Sequence, residues 1–409
     1  MVLYLLPILY LSISPPLNDV TTLMRGAVLV GTVLVISILR PPKFQSHTFL
    51  IVLFTIILSG YMISFIVNKK SYIDFLVGQY GRSQGFFTLI ALFLVFIISA
   101  EQVSKMDQKA LKILDILVYM VIIYGVIQIL RIDPISWGKE YDGIFLTLGN
   151  PNFAGAAVGI VSVVPIFQFI VQKGLVKYLN LLKLFILGII LIFISSVQGF
   201  IIYSLVIVIM FYLLFRKKIN FKRYRSIIYF SVPTSLFLLL IFLQQNKKFN
   251  QVIAFIDSTA HVSDRLLHWE LAFSIWQDNK FLGVGLSEMS KVSSQYRTIE
   301  MVQKWGDYLY PDKSHNVVMD AFVGGGLFVG IAYILLYLYI SFCAVKAIKL
   351  IENPFKDYQI AIWFTIWFSY LFQSMVSPSH IFIDSMGAIS GGYVYGIYLQ
   401  AKRIQKVKI

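Results

Sequence analysis

Long apolar stretches separated by short polar ones cover most of the chain. They lie at 2–14, 23–40, 48–67, 86–100, 110–130, 153–172, 181–197, 199–215, 226–243, 315–345, 359–376 and 386–400. None alternates polar with apolar positions, as the strands of a membrane barrel do. One helical crossing of a bilayer takes about 20 apolar residues, so the pattern predicts about twelve transmembrane helices and an all-α polytopic membrane protein. The first stretch is short and ends at Pro15-Pro16, which suits a tilted or partly inserted segment. The stretch 315–345 is long enough to project beyond the membrane. One integrated membrane domain is expected, with helices over 1–243, a large loop over 244–314 and closing helices over 315–409.

The polar connectors fix an orientation. Arg216, Lys217, Lys218, Lys222, Arg223 and Arg225 crowd one loop, and Lys402, Arg403, Lys406 and Lys408 end the chain. Twelve crossings put both clusters on one face with Lys105, Lys109, Lys173, Lys177, Lys346 and Lys349, and Lys/Arg-rich connectors mark the cytoplasmic side. Both termini are then cytoplasmic, and the loops 68–85, 131–152 and 244–314 are outside. A loop as long as 244–314 is more often functional or disordered than a plain connector. Its Trp, Tyr and Phe content favours an ordered cap.

Composition agrees. Of 409 residues, 58% are hydrophobic and 13% charged, against about a quarter charged in soluble domains. A soluble enzyme, a coiled coil and a disordered chain are excluded. The net charge of +15 divides unevenly on this topology, with 21 basic and 5 acidic residues inside against 14 and 15 outside. The basic excess is therefore a topology signal, and no nucleic-acid partner is expected. The only cysteine, Cys343, allows no internal disulfide or cysteine-built metal site. The start lacks the basic region and cleavage site of a signal peptide. No internal repeat is visible, which weakens an inverted-repeat transporter.

Candidate chemistry gathers in the outer segments. Ser263-Asp264 caps a predicted helix to about Gln277, on which Arg265, His268 and Trp269 share one face. An amphipathic helix lying on the membrane explains the same pattern. The glycines of Phe281-Leu-Gly-Val-Gly-Leu would let backbone N–H groups approach an anion. His315-Asn316 opens the next helix, followed by Gly324, Gly325, Gly326 and Gly330. A histidine there suits proton transfer from a sugar hydroxyl, with Asn316 orienting it or binding a ligand; a polar interfacial anchor is the plainer reading. Arg82, in Gly81-Arg-Ser-Gln-Gly85, offers a fork for phosphate oxygens or serves as an anchor. Asn150-Pro151-Asn152 starts a helix whose free N–H groups cap or bind. No metal-ligand spacing and no nucleotide-binding glycine pattern is present.

In this order, Gly81-Arg82-x-x-Gly85, Gly149-Asn150-Pro151-Asn152-Phe153, Arg265-x-x-x-Trp269-x-x-Ala272, Gly283-Val284-Gly285 and His315-Asn316 resemble the O-antigen ligase and O-antigen polymerase family. The resemblance implies a glycosyltransferase of the GT-C type that uses no cofactor, metal or nucleotide sugar. Such an enzyme moves a glycan from an undecaprenyl-diphosphate carrier to an acceptor hydroxyl at the outer face of the bacterial plasma membrane. The acceptor is a lipid core sugar in ligases, another carrier-linked repeat in polymerases, and a protein in related members. The implied partners are this donor, a glycan, lipid or protein acceptor, and the bilayer.

Carried onto this chain, Arg265 would bind the diphosphate and His315 would take the acceptor's proton. Arg82, Gln198, Asn316, Asn150, Asn152, Trp269 and His268 are the implied substrate-binding residues. Two positions depart from the family pattern. Gln198 stands where an arginine is expected, and Arg82 is the candidate to replace its charge. Gly324 stands where an acidic residue often follows His-Asn, with Asp320 a turn earlier. Two rival classes remain: a transporter or flippase of lipid-linked glycans, and a non-catalytic scaffold of envelope assembly.

Overall fold

The computed structural model describes residues 18–69, 71–79, 81–103, 108–135, 144–216, 262–307, 310–350 and 358–407. The expected spans 2–14 and 226–243 lie outside them. The helices are α1 (Asn18–Leu39), α2 (Thr48–Asn68), α3 (Tyr72–Leu76), α4 (Phe86–Glu101), α5 (Gln108–Ile129), α6 (Pro151–Val161), α7 (Val163–Val171), α8 (Leu175–Ile194) and α9 (Val197–Arg216). After these come α10 (Val262–Asp278), α11 (Met289–Ser293), α12 (Ile299–Trp305), α13 (Val317–Leu350), α14 (Tyr358–Val376) and α15 (Ile381–Val407). No strand occurs among the described residues, so the all-α expectation holds.

The ten expected spans within the described residues all fall on helices. The count of twelve crossings is not reached. Among the described residues, five stretches are long and apolar enough to cross a membrane: 48–68, 110–129, 151–171, 175–194 and 317–349. Shorter apolar helices cover 23–39, 86–101 and 197–210. Together they mark a multi-pass membrane protein. The shortfall has a physical reason in α14, which carries Thr365, Ser369, Gln373 and Ser374 among its apolar residues, all four buried. A helix surrounded by protein rather than lipid need not be apolar all round. Helices at the rim instead expose Ile38, Ile66, Ile123, Val208 and Leu338, the surface that lipid covers.

Small residues allow the inner helices to close on one another. A Cβ on Gly392 of α15 would lie 2.3 Å from the Phe96 carbonyl oxygen of α4, and one on Gly199 of α9 would lie 2.6 Å from the Gly155 Cα of α6. Trp363 and Trp367 of α14 fill the centre and are almost fully buried.

The helix α13 is broken at Gly326, where φ is +75°, a conformation that disfavours a side chain. The break receives the chain that follows α10. Val284 N–H donates to the Val323 carbonyl at 2.8 Å, Gly285 N–H to Gly324 at 3.0 Å, and Leu327 N–H to Lys280 at 2.7 Å. The glycines at 283 and 285 therefore bring backbone against backbone. Their segment's N–H groups go to helix carbonyls, not to the anion expected from the sequence. A Cβ on Gly326 would fall 2.1 Å from the Phe281 oxygen. Gly326→Ala is expected to lower stability by at least about 1–3 kcal/mol through backbone strain alone. A lowered melting temperature in detergent checks this, with Gly31→Ala, where nothing lies within 4 Å, as the unchanged control.

Candidate functional site

The chain after the undescribed segment builds a small helical cap. One face of α10 packs Leu267, Leu271, Ala272 and Ile275 against Val284, Met289, Met301 and Val323. That part of its apolar surface is spent on protein, while Leu266 and Phe273 of the same helix stay exposed. The first turn is pinned by α12: Lys304 pairs with Asp264 at 3.0 Å, and Trp305 Nε1 donates to the same carboxylate at 3.3 Å. The turn bearing Arg265, His268 and Trp269 is held where the helices end.

Arg265 reaches across to two of those helix ends. Its Nε donates to the Val376 carbonyl of α14 at 3.0 Å, and Nη2 to Gln198 Oε1 of α9 at 3.3 Å. Gln198 Nε2 in turn donates to Gln373 Oε1. Where the family pattern carries an arginine, this chain has an amide that accepts from Arg265 instead of repelling it. Burial lowers the Arg265 pKa, with Asp264 opposing.

His315 sits on the turn before α13 with φ +59°. The turn is built by its neighbours. Ser314 N–H and Oγ donate to Asp320 Oδ1 at 2.7 and 2.8 Å. Asn316 Oδ1 accepts from Val318 and Met319 N–H at 3.0 and 3.1 Å, and its Nδ2 donates to the Met375 carbonyl at 3.0 Å. Asn316 is thereby committed to capping α13 and tying it to α14. Asp320 supplies the acid that the sequence pattern seemed to lack, one turn early, as the anchor of the turn.

The His315 imidazole stands edge-on to that of His268, with ring centroids 4.7 Å apart. The His268 Nδ1 lies 2.5 Å from the Asp264 carbonyl oxygen, an acceptor that requires N–H on that nitrogen and leaves Nε2 the lone pair. Burial pushes the His315 pKa down to about 3, helped by His268, Arg82 and Arg265 and opposed by Asp312. His315 is thus a neutral base beside a cation. Trp269, one turn after Arg265 on the same helix, has its Nε1 buried without a hydrogen-bond partner.

The other expected residues stand apart from this pair or are engaged. Arg82 forms a two-pronged bridge to Asp312, with Nε–Oδ2 at 2.7 Å and Nη2–Oδ1 at 3.1 Å. Burial alone would raise Asp312, but the Arg82 guanidinium outweighs it and holds the carboxyl below its ordinary range. The charge of Arg82 is consequently balanced inside the protein. Asn150 caps α6 by accepting from Asn152 N–H at 2.8 Å, and Asn152 Oδ1 accepts from Ser196 Oγ at 3.2 Å. Among the described residues, no three His, Cys, Asp or Glu side chains gather as metal ligands.

Several participants have no place in the sequence reading. Gln373 holds Gln198, and Asp312 holds Arg82. Buried Arg25 of α1 donates to the Thr147 carbonyl, and the His380 ring lies tilted against that of Phe153, with centroids 4.5 Å apart. Burial, then Arg25 and Arg82, hold His380 well below its ordinary pKa. An arginine in an apolar run and a glutamine deep in another were the available signals.

With that geometry in place, comparison with known proteins adds one match. A family model described as O-antigen ligase matches residues 184–334, a little over a third of the chain. The match bears out the resemblance over a stretch that holds Gln198, Arg265, His268, Trp269, His315 and Asn316. Arg82, Asn150 and Asn152 lie outside it. No curated protein matches the chain.

Proposed function

We propose that this protein is a membrane glycosyltransferase that moves a glycan from an undecaprenyl-diphosphate carrier to an acceptor hydroxyl outside the bacterial plasma membrane. The supporting observation is one juxtaposition. A neutral imidazole at 315 and a guanidinium at 265 are held within electrostatic reach of each other by separate helix ends, inside the stretch that resembles O-antigen ligases. The acceptor oxygen attacks the anomeric carbon, and the bond from that carbon to the phosphate oxygen breaks. The hydroxyl proton passes to His315, and the diphosphate leaves with its new charge facing Arg265. A single displacement inverts the anomeric carbon. Preorganised cations at a developing charge contribute as much as base catalysis in such a step. Gln198 and Trp269 Nε1 add neutral donors or acceptors around the diphosphate, and His268 limits how the His315 ring turns. Both termini cytoplasmic and the cap outside complete the reading.

The test is reconstitution of the full chain in vesicles with a defined polyprenyl-diphosphate glycan and candidate acceptors. A new glycosidic bond of inverted configuration is expected. Passage of intact lipid-linked glycan across the bilayer with no bond broken would instead make the protein a flippase. Normal surface glycan in cells carrying His315→Ala or Arg265→Ala would reduce it to a scaffold.

The pH dependence follows from the sign of the His315 shift. A base works in its neutral form, and a lowered pKa keeps it neutral further into acid. The acid limb of kcat/KM, which reports the free enzyme, is expected well below the ordinary histidine range near 6.5. Bound diphosphate offsets the field of Arg265 and raises the pKa, so the acid limb of kcat lies at higher pH than that of kcat/KM. Parallel pH–rate profiles check this; a kcat/KM limb near 6.5 would assign the base elsewhere.

A further inference from the structure

Lys313, two residues before His315, is 7% exposed. Among the described residues its ammonium nevertheless makes no hydrogen bond and no ion pair. It interacts electrostatically with Asp312, Asp320 and Asp384, but each of these acids is spent or neutral. Asp312 gives both oxygens to Arg82, at 2.7 and 3.1 Å. Asp320 gives Oδ1 to Ser314 and keeps Oδ2 buried without a donor, a placement that suits an oxygen carrying its own proton. Asp384 stands in the first turn of α15, ahead of the apolar stretch 386–400. Burial pushes its carboxyl up to about 8, so near neutral pH it is an uncharged donor. The neighbours of Lys313 hold it in place, since Asp312 is tied to Arg82 and Ser314 to Asp320.

Lys313 lines a cavity between α2, α4, α13, α14 and α15. Ser287 lines it too, and its Oγ is buried without a hydrogen-bond partner. The segment bearing Ser287 is fixed to α13 by Gly285 N–H, which donates to the Gly324 carbonyl at 3.0 Å. An ammonium, a hydroxyl and a neutral acid are all donors, and buried donors without acceptors are costly. An oxyanion supplies the missing acceptors, and a phosphate brings several on one atom. Away from these groups the lining turns apolar, through Leu50, Phe54, Leu89 and Phe93. The polar end adjoins the His315 turn, whereas Arg265 is not part of the lining. An anion at Lys313 is therefore beside the reacting groups, on the side where apolar space begins.

We propose that Lys313, with Ser287, binds the carrier phosphate that bears the lipid chain, while Arg265 faces the phosphate next to the sugar. The inference rests on the reading that a carrier diphosphate is the leaving group, and it divides that group between two cations. The bond that breaks lies at the Arg265 end. Lys313 holds the end that does not react, equally before and during the displacement, so its loss raises KM more than it lowers kcat.

Binding without turnover tests this. Full-length protein in phosphatidylcholine nanodiscs is titrated with radiolabelled undecaprenyl phosphate and, separately, undecaprenyl diphosphate. The monophosphate keeps only the phosphate next to the chain. Lys313→Met, which retains the length of the stem, is expected to weaken both probes by at least about tenfold, the effect of one charge-assisted hydrogen bond. Lys313→Arg restores most of the affinity. Arg265→Ala weakens the diphosphate and spares the monophosphate. Melting temperatures establish that each variant is folded. Unchanged affinity for the monophosphate in folded Lys313→Met, or equal weakening of both probes by Arg265→Ala, overturns the proposal alone. A wild type that binds neither probe overturns it together with the functional reading.

Discussion

Replacing His315 with alanine is expected to lower glycan transfer by about 10²–10⁴-fold, the usual contribution of a positioned general base. The melting temperature should change little. This separation follows from how the turn is made. Ser314, Asp320 and Asn316 supply every hydrogen bond that shapes it, and the imidazole supplies none of them. The ring's neighbour is the His268 ring at 4.7 Å, so its removal leaves a small gap beside the cap rather than a break in α13. The left-handed φ at 315 suits histidine somewhat better than alanine, a cost small beside the expected loss of activity. His315→Gln, which keeps polarity but cannot take a proton, should fall as far as alanine. A variant that loses stability and activity together, with the remaining folded fraction fully active, would show that His315 only anchors the turn.

Arg265→Ala is expected to cost about 10²–10³-fold, the effect of removing one preorganised group that faces transition-state charge. Most of the loss should fall on kcat, because the cation matters most when the diphosphate leaves. Arg265→Lys restores the charge but not the fork. Its single ammonium cannot hold both the Val376 carbonyl and Gln198 Oε1 as Nε and Nη2 do. The lysine variant should therefore recover part of the activity, and Gln198→Ala should raise KM more than it lowers kcat. Steady-state kinetics on the purified variants check both. Equal loss in the alanine and lysine variants would mean that Arg265 acts by packing rather than charge.

The positions of the helices were legible because a membrane helix is a local property: a run of apolar residues suffices. The cap helix α10 was legible too, since Ser263-Asp264 and the face shared by Arg265, His268 and Trp269 lie within a few turns. Their partners were not. Arg82 meets Asp312 across 230 positions, and Gln198 meets Gln373 across 175. No local pattern carries such pairings. That is why Arg82 looked like a spare phosphate cation and proves to be balanced by a carboxylate. The glycines at 283 and 285 were misread for a related reason. Glycine permits close approach, but whether an anion or a second backbone approaches is decided by tertiary packing, and here it is α13. The crossing count also exceeded what the described helices support. Hydropathy gauges contact with lipid, and α14 is surrounded by protein.

The central claim is that His315 and Arg265 drive a bond exchange at the capped helix ends. The most direct measurement is the release of polyprenyl diphosphate and the gain of acceptor-linked glycan, followed together in vesicles holding wild type, His315→Ala or Arg265→Ala. The account predicts one carrier released for each glycan bond formed by wild type, with both signals falling together by at least about a hundredfold in either variant. Glycan transfer by His315→Ala and Arg265→Ala at the wild-type rate would contradict it.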